Sequence, residues 1–250
     1  MASNADLTFQ GGGEVLGLPA TPSATGAASK EYVYTQDGAA QPALELYVEN
    51  PSSPGAPSAA GTNAVAIGSS SAAAGTNMIA IGFGSGGDGE RSIALGSAYA
   101  RRYGAVEFSG SGSANGTTQG ILAVVWNDTT NATETELYLD GTGATKRLTL
   151  QPRDGFNEMT WAFSALIAAR RTNADNESAA YKLEGCIDSM AGTVALAGSP
   201  IKTILHEDSA DWDVAATADD TNKSLKLTVT GENAKNIHWV AVVNITCCGE

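Results

Sequence analysis

The segment GTNAVAIGSSSAAA at residues 61–74 is followed directly by GTNMIAIGFGSGGD at 75–88 and GERSIALGSAYARR at 89–102. The three segments share a 14-residue period and keep glycine at two register positions, which hold Gly61, Gly75 and Gly89, and Gly68, Gly82 and Gly96. Each unit contains a short apolar run, a glycine turn, a second short run and another turn, without a helical period. The pattern predicts one coil of a parallel β-solenoid per unit.

The repeats offer little apolar volume. Each unit has only one or two large apolar side chains, such as Ile67, Ile81 and Leu95. A single chain cannot close a stable core from so few, so we expect several copies to pack side by side. Glu90 and Arg91 replace the Thr and Asn of the earlier units. We therefore place the end of the roll at the third unit and assign residues 61–104 to it.

The regions on either side of the repeats differ in composition. Residues 1–60 contain a GGG run and several prolines and predict an extended N-terminal arm, whose one helix candidate is 27–33. Residues 105–250 alternate apolar and polar side chains between turn residues, which predicts an antiparallel, jelly-roll-like β-sandwich. We assign 158–169 to a strand, although its alanines also allow a helix.

Charge and cysteine content exclude several classes of partner. The net charge of −13 disfavours nucleic acid and anionic membrane surfaces. The sequence shows neither a secretion signal nor an apolar run long enough to insert in a membrane, so we expect synthesis in the cytosol. The three cysteines do not form a paired framework; we expect Cys186 in the core and Cys247 and Cys248 as reduced thiols.

Motifs that indicate catalysis or ligand binding are weak. Gly82–Gly87 satisfies GxGxxG, but its glycines belong to the repeat and no helix pattern follows, so we interpret it as a solenoid turn. The acidic run 207–213 and the pair at 219–220 suit a hard cation, or the acid and base of a glycan hydrolase, but they suit solvated turns better. We expect no enzyme activity, cofactor or metal.

The repeat resembles the head repeat of trimeric autotransporter adhesins, through Asn63-Ala64-Val65-Ala66-Ile67-Gly68 followed by Ser71, Ala72 and Gly75. This resemblance implies a left-handed parallel β-roll formed by three chains. Segments around Trp161, 176–181, 212–214, 219–225, 229–231 and 237–241 are similar to a C-terminal domain of phage tail-fibre-like proteins, and 27–33 is similar to a segment near fibre starts. Adhesins of that family carry a membrane anchor, which this sequence lacks, so phage tail and head fibres are the better comparison.

These observations predict a homotrimeric virion fibre or spike that attaches to the host surface. We expect assembly in the host cytoplasm, attachment of the arm to a portal, tail or capsid protein, and binding of a host glycan or protein by the sandwich. A capsid fibre or decoration protein and a glycan-degrading tailspike are the alternatives. We predict contact loops at 127–135, 170–178 and 206–211, with these residues as candidates: Asn127, Asp128, Asn131, Arg171, Asn173, Asp175, Glu207, Asp208 and Asp211.

Overall fold

The computed structural model describes residues 9–10, 14–15, 55–110, 118–141, 145–150, 158–174 and 177–249. The chain is all-β over these residues, as predicted, and no helix in them is long and apolar enough to cross a membrane. In the predicted arm, Phe9–Gln10 and Glu14–Val15 form an antiparallel pair. The helix candidate at 27–33 lies outside the described residues.

The strands are numbered in chain order. They are β1 Phe9–Gln10, β2 Glu14–Val15, β3 Ser58–Ala59, β4 Val65–Ile67, β5 Ala72–Ala73, β6 Ile79–Ile81, β7 Gly86–Gly87, β8 Ile93–Gly96, β9 Tyr99–Ala100, β10 Val106–Ser109, β11 Thr118–Thr129, β12 Thr135–Glu136, β13 Leu148–Thr149, β14 Met159–Arg171, β15 Ser178–Met190, β16 Thr193–Leu196, β17 Ile201–Glu207, β18 Asp213–Asp219, β19 Ser224–Thr230 and β20 Ile237–Gly249.

The repeats form a β-solenoid, which confirms the prediction from their period. Strands β4, β6 and β8 pair in parallel along one side, and β3, β5, β7 and β9 pair in parallel along the other. Strand β10 pairs in parallel with β8 and adds one more rung. Partners lie one repeat apart, so Ala66 pairs with Ala80 and Ala80 with Ala94. These alanines point into the roll and are buried.

The repeat glycines are required because successive coils approach each other closely. A Cβ at Gly61 would lie 2.1 Å from the carbonyl oxygen of Gly75, and one at Gly82 would lie 2.1 Å from that of Gly96. Gly82 also has a φ of +128°, which residues with side chains rarely adopt. The third unit keeps the same coil, and Arg91 takes the left-handed conformation (φ 59°) that Asn77 has in the second. Substitution of Thr and Asn by Glu90 and Arg91 therefore leaves the coil geometry unchanged.

The C-terminal region consists of two antiparallel layers around one core. Its larger sheet continues the roll, with the strand order β16-β15-β14-β20-β11-β10-β8-β6-β4 and with β17 also paired to β15. A smaller sheet of β12, β19, β13 and β18 covers one face. The core between the layers includes Trp161, Tyr181, Trp212 and Trp239, each at most 2% exposed. One hydrogen-bonded sheet thus runs from the first coil to the last strand of the sandwich.

Alternation places side chains on the predicted faces, with one exception. Strand β14 confirms the strand assignment of 158–169, because Trp161, Phe163 and Ala165 are buried and alternate with outward residues. Cys186, expected in the core, is only half-buried. Cys186 lies three residues after the inward-facing Leu183 on β15. Because side chains alternate along a strand, it faces outward, on the same side as Glu184. The expectation for Cys186 was therefore wrong.

A buried ion pair joins the roll to the sandwich. Arg102 donates from Nη1 to Oε2 of Glu107 at 2.8 Å, and both side chains are almost fully buried. Glu107 also accepts from the backbone N–H of Arg102 at 3.1 Å and from the Gln119 amide. Arg102 donates from Nε and Nη2 to the carbonyl oxygen of Thr149 and lies 4.7 Å from the Trp161 ring. Because Glu107 lies in β10, Gln119 in β11 of the large sheet and Thr149 in β13 of the smaller sheet, the pair fixes the roll against both layers.

Candidate contact loops and the outer sheet face

The three predicted contact loops lie at the same end of the sandwich strands. Asp128 pairs with His238, Arg171 with Ile237, and Ala179 with Glu207, so β11, β14, β15, β17 and β20 begin or end side by side. A fourth connection, 231–236, joins β19 to β20 at this end and was not predicted. Its Gly-Glu-Asn composition marked it only as a turn.

The fourth loop is joined to two of the predicted loops, 170–178 and 206–211, by a network of ion pairs and hydrogen bonds, here called the loop-end network. Lys235 Nζ lies 2.7 Å from Oε1 of Glu177 and 2.6 Å from Oε2 of Glu232. Glu177 Oε2 accepts from Nη1 of Arg171 at 2.9 Å, and Glu232 Oε2 accepts from the hydroxyl of Ser209 at 2.8 Å. One lysine thus connects the loops that follow β14, β17 and β19.

Most of the predicted contact residues stabilise this end of the sandwich. Asn127 donates to the Glu136 carbonyl oxygen at 2.9 Å, and Asp128 pairs with Nδ1 of His238 at 2.6 Å. Asn173 donates to the carbonyl oxygen of Ala234 at 3.1 Å.

The remaining candidates differ in whether their side chains bond to other parts of the sandwich. Glu207 accepts from the Tyr181 hydroxyl at 3.0 Å, and Asp208 accepts from the backbone N–H of Ser178 at 2.7 Å. Asn131 and Asp211 have exposed side chains, Asn131 Oδ1 accepts from the backbone N–H of Thr133 at 2.8 Å within its own loop, and Asp175 lies outside the described residues. Asn131 and Asp211 are therefore the candidates best placed to contact another molecule.

Hydrogen bonds and opposite charges keep the loop carboxylates ionised. The side-chain hydrogen bond from Lys235 lowers the pKa values of Glu177 and Glu232. The same two carboxylates raise the pKa of Lys235. The backbone N–H of Ser178 lowers the pKa of Asp208. All of these shifts favour the charged forms that the network uses.

Carboxylates of the acidic run 207–213 and of the pair at 219–220 accept hydrogen bonds from backbone N–H groups of the sandwich. Asp219 accepts from the backbone N–H of Asn222, and Asp220 accepts from that of Val194 at 2.6 Å; the pKa of each carboxyl is lowered, chiefly by hydrogen bonds from Asn222 and Lys223 respectively. A general acid for glycan cleavage needs a raised pKa. Within the described residues, no group of three or more His, Cys, Asp or Glu side chains is placed to hold a metal ion.

The large sheet has a second face, which the smaller sheet does not cover. We call it the outer face, defined by the outward residues of β11 from Thr118 to Trp126, of β14 from Thr160 to Ala168 and of β20 from Val240 to Cys248. The outward positions beyond this face, at the loop end, hold Asp128, Arg170 and His238. Val124, Val242 and Leu166 are directly opposite one another on the three strands and are 47, 38 and 55% exposed. The other positions of the outer face hold uncharged residues: Thr118, Gly120, Leu122, Trp126, Thr160, Ala162, Ser164, Ala168, Val240, Asn244, Thr246 and Cys248.

The outer face is continuous with an apolar ladder on the roll. Ile67, Ile81, Leu95 and Phe108 are partners on consecutive rungs, and Phe108 is the partner of Gly120. A Cβ at Gly120 would lie 2.3 Å from Cζ of Phe108, so the end of the phenyl ring packs against this glycine. An open groove of about 650 Å³ follows the same face beside Phe108.

Strand β17 forms the edge of the large sheet that is farthest, in strand order, from the roll. It pairs with β15 alone, and six of its seven residues are exposed. Ile201, Ile204 and Leu205 are 65, 51 and 55% exposed. An exposed apolar edge strand offers unpaired backbone groups to another chain.

No protein-family model and no curated protein matches this sequence. Among solved structures, the chain is similar to the tailspike protein of the Acinetobacter phage vB_ApiP_P1, with 12% identity and a TM-score of 0.32. The similarity covers 52% of this chain and 22% of the tailspike. The chain therefore spans less than a quarter of the length of that protein.

Proposed function

We propose that this protein is a non-enzymatic fibre or spike component of a phage particle that acts as a homotrimer and attaches the particle to its host. The observation that carries the proposal is the single sheet that links the roll to the sandwich. A repeating coil whose interior is filled mainly by alanine side chains suits a spacer. The buried Arg102–Glu107 pair makes the joint to the sandwich stiff.

The sandwich is the proposed host-contact domain, and the arm is the proposed attachment to a portal, tail or capsid protein. The loop-end network holds the three loops that follow β14, β17 and β19 in fixed positions, as recognition loops on a rigid scaffold require. Three identical loop ends at fixed separation would bind a repetitive cell surface with higher avidity than one. The edge strand β17 is a second contact surface within the same proposal.

Competition with infection tests this function. The purified full-length protein should block adsorption of the phage that encodes it. Replacing exposed loop residues, as in Asn131→Ala with Asp211→Ala, should weaken the block without lowering the melting temperature. Thr221→Ala is the matched control, because Thr221 is exposed on the turn at the opposite end of the strands. A Leu205→Asp variant tests β17 in the same assay.

The capsid-decoration alternative predicts a different result. A decoration protein would leave adsorption unchanged at saturating protein concentration, and antibody labelling of intact particles would place it on the capsid. The tailspike alternative predicts release of reducing sugar from host glycan. The lowered pKa values of Asp208, Asp219 and Asp220 argue against a general acid at those positions.

A further inference from the structure

The outer face has the composition of an interface core. The solvated face of a half-buried sheet normally carries polar and charged residues. The outer face instead combines Leu, Val, Ala, Gly and Trp with neutral Ser, Thr, Asn and Cys. The absence of charge is notable, because the whole chain contains 27 acidic and 14 basic residues. Depletion of charge at the centre with aliphatic and aromatic enrichment is typical of protein interfaces.

Charged residues begin where the outer face ends. On the neighbouring strand β15, Lys182 and Glu184 pair at 2.9 Å. At the loop end, Asp128 pairs with His238, and Arg170 is the strand partner of His238. This arrangement is the polar rim expected around an apolar contact.

The outer face has the area of a surface patch that can contact another molecule. Three strands about 4.8 Å apart and nine residues at about 3.3 Å each cover roughly 400 Å², before the ladder on the roll is added. This area, which includes neutral polar positions, is comparable to the largest apolar patch on a typical soluble monomer, and such patches are often functional. Isolated exposed apolar residues would need no such explanation.

Two features indicate that the occupant is another copy of this chain. Chains with a net charge of −13 repel each other, and the outer face is where they approach without placing like charges in contact. The side chains of the ladder, Ile81, Leu95 and Phe108, are spaced by the distance between neighbouring strands. A second copy, related to the first by rotation about an axis parallel to the ladder, carries side chains at the same spacing, so the two ladders match.

From these observations we infer that the outer face of the sandwich packs against the outer faces of other copies of the chain. The row of Val124, Val242 and Leu166 lies at the centre of the contact. The sandwich thus provides its own assembly interface in addition to the roll. The inference rests on the proposed function in one respect, namely that the copies in a fibre run in the same direction.

Alkylation of an introduced cysteine tests the inference in the full-length protein. Val242→Cys is compared with Thr217→Cys in a background where Cys186 and Cys248 are serine. Thr217 is an exposed strand residue on the smaller sheet and is the matched control. If copies cover the outer face, iodoacetamide should modify Cys at 242 at least about tenfold more slowly than Cys at 217. Val242→Asp should weaken association by at least about 100-fold, and Thr217→Asp should not.

Each other outcome is decisive. An oligomer in which both cysteines react at the same rate would overturn the inference, while the fibre proposal could still hold through the roll. A monomeric wild-type chain would overturn both. Protection at 242 only in intact particles would mean that another virion protein covers the face, which also overturns self-association.

Discussion

The roll and the sandwich share one sheet but are stabilised in different ways. In the roll the buried apolar side chains are mainly alanines, such as Ala80 and Ala94, with Met78 as the one large member of this apolar cluster among the described residues. The coils are held by backbone hydrogen bonds across glycines that permit close approach. The sandwich core instead contains Trp161, Tyr181 and Trp239.

This difference shows what each region needs from other chains. A core of tryptophan and aliphatic side chains buries enough apolar surface to stabilise the sandwich within one chain. The roll buries little and exposes Val65, Ile81 and Leu95, so its stability depends on what covers that side. The two regions therefore respond differently to the substitutions below.

Breaking the joint between the regions should have the largest effect. Glu107→Ala leaves Arg102 buried without its carboxylate, which should lower the free energy of unfolding by about 3–5 kcal/mol. Chemical denaturation measures it. Glu134→Ala is the control, because the Glu134 side chain is 60% exposed and its ion pair with Lys226 is long, at 3.9 Å. This change should leave the free energy of unfolding nearly unchanged. Equal effects of the two changes would show that the joint is not a buried ion pair.

Changing one repeat glycine should affect the roll but not the sandwich. Gly82→Ala places a Cβ against the backbone of the next coil at a positive φ and should cost at least about 2 kcal/mol. Hydrogen exchange should show the loss in residues 61–104, with the amides of β14 and β20 still protected. Gly110→Ala, where a Cβ meets open space, is the control. Uniform loss across both regions would mean that they unfold as one unit.

The loop end should give the smallest effect, and it should depend on pH. The folded pKa of Glu177 is lowered, so its contribution is present above the unfolded value and is lost as pH falls through the folded value. Wild type should therefore melt above Glu177→Gln at neutral pH, and the difference should begin to shrink as pH falls below the ordinary glutamate pKa of about 4.3 and vanish below the folded pKa. A difference in melting temperature that does not change as pH is lowered would contradict the ionic origin.

The repeat and the strand alternation could be read from the sequence because both depend on local spacing. The period gave the partners of β4, β6 and β8, and alternation gave the buried face of β14. The outer face left a signal as well, since the segment 121–126 is apolar at consecutive positions. Only the pairing of β11 with β20 shows that these residues form one surface.

Features that depend on distant partners could not be predicted. Arg102 contacts Thr149, which is 47 residues away, and Lys235 contacts Glu177, which is 58 residues away. Nothing in the local sequence of either residue specifies these contacts. Most of the predicted contact residues bond to other strands or loops, whereas Asn131 accepts from Thr133 in its own loop, and this difference emerges only once the strands are paired.

The mass of the full-length protein in solution shows directly whether its copies associate through the roll and the outer face. We predict a trimer, with three times the 25.4 kDa of one chain, that persists on dilution in sedimentation and light-scattering measurements. The apolar ladder of the roll and the outer face of the sandwich would then be covered by neighbouring copies. A mass of 25.4 kDa at every concentration would contradict the account, because both surfaces would be exposed to water in a stable monomer.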